Sequence, residues 1–121
     1  MEEILQDNIK LEAILEWLTE KKAENVRVYE VQGKTDYTDV IIVCEGSADQ
    51  HTKAIASHLI DMAKEHHLRV LSKAGMESGQ WILIDIGDIV VHIFLPQMRD
   101  YYKIDELFEK VKNRDLEEEN K

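Results

Sequence analysis

A single α/β domain, a mixed β-sheet flanked by helices, is what this sequence predicts, and three observations predict it. Segments with helical and strand-like apolar patterns are interspersed along the chain rather than segregated, which favours helices layered on a sheet. Val40-Ile41-Ile42-Val43-Cys44 is a continuous apolar run, as expected of a central strand covered on both faces. Gly79 to Phe94 reads as two short strands around a Gly87-Asp88 turn, and neither of its faces is polar. Ile82, Ile84, Ile86, Val91 and Ile93 supply one apolar face, and Trp81, Leu83, Val90, His92 and Phe94 the other. An ordinary hairpin on a small protein keeps one face in water. This one needs a second cover, from helices or from another protein.

The elements follow in order. Leu11, Ile14, Leu15 and Leu18 recur at helical spacing, so an amphipathic helix is predicted over residues 8–22. Val26, Val28 and Val31 begin an extended segment, Gly33 to Thr38 is a polar turn region, and the buried strand comes next. Gly46-Ser47 ends it. Ser47 followed by Gln50 fits a capping box, opening a helix whose inner face is Thr52, Ile55, Ala56, Leu59, Ile60 and Ala63. Leu68 to Leu71 is read as a short strand before the hairpin, which Pro96 closes. Ile104, Leu107, Phe108 and Val111 mark a last helix. Residues 1–112 form the domain and 113–121 a charged tail expected to fray.

With 121 residues the chain can bury roughly two-thirds of its unfolded surface without staples. Fifteen basic against twenty-five acidic residues give a net charge of -10. Such a surface repels phosphate backbones, which argues against primary nucleic-acid binding and for a basic protein partner. The single Cys44 excludes a disulfide framework or a cysteine zinc site, and no apolar run approaches the ~20 residues that span a bilayer. These features predict a reducing, soluble setting with no membrane association.

Candidate chemistry is sparse. Gly46-Ser47 at a strand-to-helix junction resembles the phosphate-holding pair of nucleotidyltransferases, whose chemistry also needs closely spaced carboxylates for divalent metal. Asp85 and Asp88 are the available acids, but the residue two after Asp85 is Gly87, so alternation does not pair them on one face. The economical reading makes Ser47 a cap and the two acids a turn. The histidines make no metal set, and His92, between apolar strand residues, reads as structural or interfacial rather than catalytic. Asp39 opens the buried strand and is expected to bond backbone amides or an arginine. Gly75 and Gly79 bracket Met76-Glu77-Ser78, a loop able to pass close to another surface. Arg99, Tyr101 and Tyr102 follow Pro96, and their convergence with Trp81 and His92 would make an interface.

Three segments, Asp39 through Ala56, Gly75 through Phe94 and Arg99 through Phe108, together resemble the ribosomal silencing factor family, also called Iojap-like. The match runs from about Leu11 to Val111. Asp39, Trp81, Asp85, Asp88, His92, Arg99 and Tyr102 stand as the family pattern has them. Ile41 and Phe108 are conservative exchanges, whereas Ala48, Gln50 and Ala74 lose polar groups found in relatives. The resemblance implies a nucleotidyltransferase-like fold without the catalytic carboxylate set, no enzymatic activity and no cofactor. It implies a translational repressor that binds the fourteenth protein of the large ribosomal subunit and blocks joining of the small subunit, with a homodimer plausible and the bacterial cytoplasm as location. The expected partner-binding residues are Trp81, Leu83, Asp85, Asp88, His92, Arg99, Tyr102 and Glu77, with the acids near Asp105 and Glu106 facing a basic partner. Asp39, Gly46, Ser47, Gly75, Gly79 and Gly87 are expected to be structural. Two other readings stay open: a magnesium-dependent nucleotidyltransferase-like enzyme using Gly46, Ser47, Asp85 and Asp88, and a homodimeric structural adaptor using the apolar face against itself.

Overall fold

The structure, a computed structural model, describes residues 2–114, with side chains from residue 9 onward. Helix α1 (Glu2–Glu20) leads into strands β1 (Glu24–Glu30) and β2 (Val40–Glu45), then helix α2 (Asp49–Glu65). Strands β3 (Ser72–Ala74), β4 (Trp81–Asp85) and β5 (Ile89–Phe94) follow, and helices α3 (Pro96–Tyr101) and α4 (Ile104–Lys112) end the chain. The five strands form one sheet in the order β1-β2-β5-β4-β3. Only the β2–β5 pair is parallel; the other pairs are antiparallel, so the sheet is mixed as predicted.

Both faces carry a core. On one, Ile14, Trp17 and Leu18 of α1 and Ile55, Ala56 and Leu59 of α2 pack on Ile42, Cys44, Ile82, Ile84, Val91 and Ile93. On the other, Ile104 and Phe108 of α4 pack on Tyr29, Val31, Ile41, Val43 and Phe94. The apolar run of β2 is therefore buried on both sides, with Ile41 to Cys44 at most 1% exposed. Burial pushes the Cys44 thiol up to about 12, so it stays protonated and inert.

Several expectations are corrected. α1 begins at Glu2 rather than near residue 8. Ser47 caps nothing. The N-cap of α2 is Ala48, whose methyl side chain can accept no bond, while the Ser47 amide donates to His51 Nδ1 at 2.8 Å and the Ser47 hydroxyl lies 3.1 Å from the same atom. The opposite ring nitrogen of His51 reaches the Lys21 carbonyl at 2.8 Å, tying α2 to the end of α1. The third strand lies at Ser72–Ala74 rather than at Leu68 to Leu71, and all three residues are exposed, so no apolar pattern marks it. A short helix, α3, starts with Pro96 in its first turn, a position where proline's missing N–H costs no bond. Asn113 and Arg114 are held rather than frayed: the Asn113 amide donates to Glu109, and Arg114 and Lys34 each donate from the side chain to the other's carbonyl. The rest of the predicted tail, 115–121, lies outside the described residues.

Candidate interaction face

On the α3–α4 side, side chains line up in three rows across the sheet. Strand register puts Glu45, Phe94 and Trp81 in one row, and Val43, His92, Leu83 and Ala74 in the next. Tyr29, Ile41, Val90, Asp85 and Ser72 make the third. α3 and α4 cover the β1–β2–β5 end of these rows. The β4–β3 end has no helix over it among the described residues. Trp81 is 36% exposed there, Leu83 is half-buried, and Ser72 and Ala74 are open.

The rim of this open half-face is apolar and aromatic. Trp81 packs against Phe94 with ring centroids 4.9 Å apart and against Tyr102 at 5.4 Å, and Tyr101 meets Tyr102 edge-on at 4.9 Å. Tyr102 is 47% exposed and Leu107 is 51% exposed. Asp105 and Glu109 of α4 face β1, through Tyr29 and Arg27. Helical spacing puts Leu107 on the opposite flank, toward the open half. Tyr37 stands near Asp85: burial and that carboxylate push its phenol above the usual range.

Trp81 is held from two directions. Its indole N–H donates to His92 Nδ1 at 3.0 Å, a diagonal pair across the hairpin. The loop before it is stapled to α2, since the buried Thr52 hydroxyl lies 2.6 Å from the Gly79 carbonyl. Gly75 has φ +81, and a Cβ there would sit 1.9 Å from the Trp81 carbonyl oxygen, so only glycine fits. Gly46 is demanded by close approach too, as its Cβ would lie 2.7 Å from Thr52 Cγ2.

The expected partner-binding residues do not all reach this surface. Trp81, Leu83, Tyr102 and Asp85 flank the open half. His92 is 3% exposed and lies under Trp81. Burial lowers its pKa to about 4. Arg99 is also buried: Nε and Nη2 donate to Asp105 at 2.7 and 2.9 Å, and Nη1 to Glu45 at 3.0 Å and the Asn25 carbonyl at 2.7 Å. Burial works against the Arg99 charge, but the Asp105 and Glu45 carboxylates outweigh it and raise its pKa. This hub pairs Arg99 with Glu45 and Asp105 and not with Asp39, whose main chain bonds to Asp88 and Val31. Asp88 turns away to Lys10 of α1. Asp85 Oδ1 accepts from the Gly87 amide at 2.8 Å, fixing the turn where Gly87 has φ +93. Glu77 is exposed on the loop between β3 and β4. The Arg99 hub and the exposed Leu107 are what sequence reasoning missed.

No group of three His, Cys, Asp or Glu side chains converges to hold a metal among the described residues. No helix among them is long and apolar enough to cross a membrane.

Comparison with known proteins gives a consistent result. Residues 5–121 match the family described as ribosomal silencing factor during starvation. Ribosomal silencing factor RsfS of Bacillus subtilis is 33% identical over 89 residues, 74% of this chain and 75% of that protein. Protein Iojap, chloroplastic, of Zea mays is 33% identical over 90 residues, 74% of this chain but 39% of that longer protein. A crystal structure of a Chromobacterium violaceum protein, 34% identical, superimposes with a TM-score of 0.79 over 86% of this chain and 85% of its own. Sequence and fold thus agree over most of the domain that carries the open half-face, and the chain belongs to the ribosomal silencing factor family.

Proposed function

We propose that this protein represses translation in the bacterial cytoplasm by steric exclusion. The open half-face around Trp81 docks on the large ribosomal subunit through its fourteenth protein, and the bound factor obstructs joining of the small subunit. One observation carries this reading: the Trp81 face is roofed by α3 and α4 at one end and left apolar and open at the other. The silencing-factor names of the relatives support the ribosome as target. A net charge of -10 favours a basic protein surface on the ribosome over its RNA. A specific interface buries more than ~1,000 Å² in total, a footprint large enough to exclude a bulky partner without chemistry.

The test is a pull-down with purified large ribosomal subunits and with their isolated fourteenth protein, followed by a subunit-joining assay. Association with neither would sink the proposal, and binding without loss of joining would sink the steric mechanism. The enzyme alternative draws no support from the carboxylates, since Asp85 turns onto the Gly87 amide and Asp88 onto Lys10. Calorimetry with nucleotide and magnesium decides it. The same open face could also be covered by a second copy of this chain. Light scattering across a concentration series, with and without the fourteenth protein, tells whether self-association competes.

A further inference from the structure

We propose that His92 is a positioning residue for docking: it does not meet the partner, but fixes the Trp81 indole and satisfies its N–H before the partner arrives. This inference rests on the docking role of the Trp81 face proposed above.

An indole N–H is a donor only, so its 3.0 Å contact with His92 Nδ1 requires that nitrogen to be unprotonated. The environment enforces that state. His92 is buried between Val43 and Leu83 in its row, and Nε2 finds no hydrogen-bond partner among the described residues. An imidazolium would have one buried N–H with no acceptor and the other directed at a donor. Burial keeps the pKa near 4, so at neutral pH the ring is uncharged, with its proton on Nε2. The ring is also clamped, with Phe94 stacked at 6.1 Å and 12° and Phe108 tilted at 5.3 Å. His92 is therefore a fixed acceptor beneath a half-exposed indole.

This arrangement matters when the face is covered. A partner lying over Trp81 removes its access to water. An indole N–H without an internal acceptor would then lose its hydrogen bond, or require the partner to supply one. With Nδ1 in place the N–H stays bonded, and an apolar surface can close over the ring without stranding a donor. The bond also selects one indole orientation, so less side-chain freedom is lost on docking. The row neighbours of His92 are apolar, so packing alone would have been served by leucine.

Two measurements test this. In the wild-type protein, NMR should show a scalar coupling across the N–H···N bond between Trp81 Nε1 and His92 Nδ1, with His92 protonated on Nε2. A proton on Nδ1, or no coupling, overturns the proposal without any variant. Binding to purified large ribosomal subunits is then compared for His92→Leu, which removes the acceptor, and His92→Asn, whose amide oxygen stands close to the position of Nδ1. The leucine variant should bind ~10-fold more weakly or worse, and the asparagine variant should recover most of that loss. In a Trp81→Phe background, His92→Leu should add little. Equal losses in the leucine and asparagine variants, or an undiminished loss in the Trp81→Phe background, would assign His92 to packing alone. If the wild-type protein does not bind large subunits while the coupling is present, the docking reading fails and the hydrogen bond stands, so the two failures are distinguishable.

Discussion

Replacing Arg99 by methionine is expected to lower stability strongly. Its guanidinium joins four elements: it comes from α3, grips Asp105 at the start of α4, and reaches Glu45 of β2 and the Asn25 carbonyl of β1. The Tyr29 hydroxyl donates to the same Asp105 carboxylate, and burial together with that acid pushes the Tyr29 phenol up to about 12. The Arg99 side chain is 8% exposed and Glu45 12%, so little solvent remains to screen the charges. Methionine keeps the apolar stem but leaves two acids facing each other without their cation. Removing one partner of a buried ion pair costs about 3–5 kcal/mol, and the exposed edge of Asp105 argues for the lower half of that range. Small domains have only about 5–15 kcal/mol in total. With a urea slope of about 1–3 kcal/mol per molar, the midpoint should fall by roughly 1–3 M. Urea denaturation followed by circular dichroism reads this directly. A loss below about 1 kcal/mol would refute the idea that the hub clamps α3 and α4 to the sheet. Arg99→Lys should recover only part of the loss, because an ammonium cannot reproduce the two-pronged grip on Asp105.

Four further outcomes are expected. Trp81→Ala should retain a native circular dichroism spectrum yet bind large ribosomal subunits about thirty-fold more weakly, a loss of about 2 kcal/mol; unchanged affinity would disprove the anchor role. Gly75→Ala should destabilise by more than about 1 kcal/mol and alter Trp81 fluorescence, since its Cβ collides with the Trp81 carbonyl; a thermal melt matching wild type would contradict the geometry. His92 has a folded pKa lowered from 6.5 to about 4, so its contribution is fully present above the unfolded value and lost as pH falls from about 6.5 to about 4. At about 1.4 kcal/mol per pH unit that amounts to roughly 3 kcal/mol, and His92→Asn should flatten the stability–pH curve in that window. Finally, the rate of association with large subunits should fall as salt rises, because acids such as Asp85 and Glu77 steer toward a basic protein surface. A rate that rises with salt would show repulsion from RNA to dominate.

How much could be read from the sequence depended on whether the signal was local. The hairpin's two apolar faces were legible because strand alternation is local, and the structure sorts Ile82, Ile84, Val91 and Ile93 onto one core and His92 and Phe94 onto the opposite face as expected. Strand β3 was not legible: its three residues are exposed and gain their identity only by pairing with β4. The Ser47 cap was misread because the competing partner, His51, is itself oriented by the Lys21 carbonyl in the turn after α1. The Arg99 hub joins residues from 25 to 105, and no local pattern tells an arginine bound for two acids within the fold from one bound for a partner. Trp81 and His92 were placed together on one face, but which of them reaches the surface depended on depth, and depth is a tertiary property.

The two sheet faces also differ in how they are covered, and the docking proposal rests on that difference. α1 and α2 lie on one face and bury residues from both β4 and β5. α3 and α4 are short and occupy only the β1–β2–β5 end of the other. The Arg99 hub sits at that covered end and clamps the short helices there. A longer roof would have stabilised the fold further and hidden Trp81. The open end instead keeps its apolar surface organised from below, by His92 against the indole and by Thr52 against the Gly79 loop. A surface held in this way undergoes little ordering when a partner covers it, so more of the apolar contact is available as affinity.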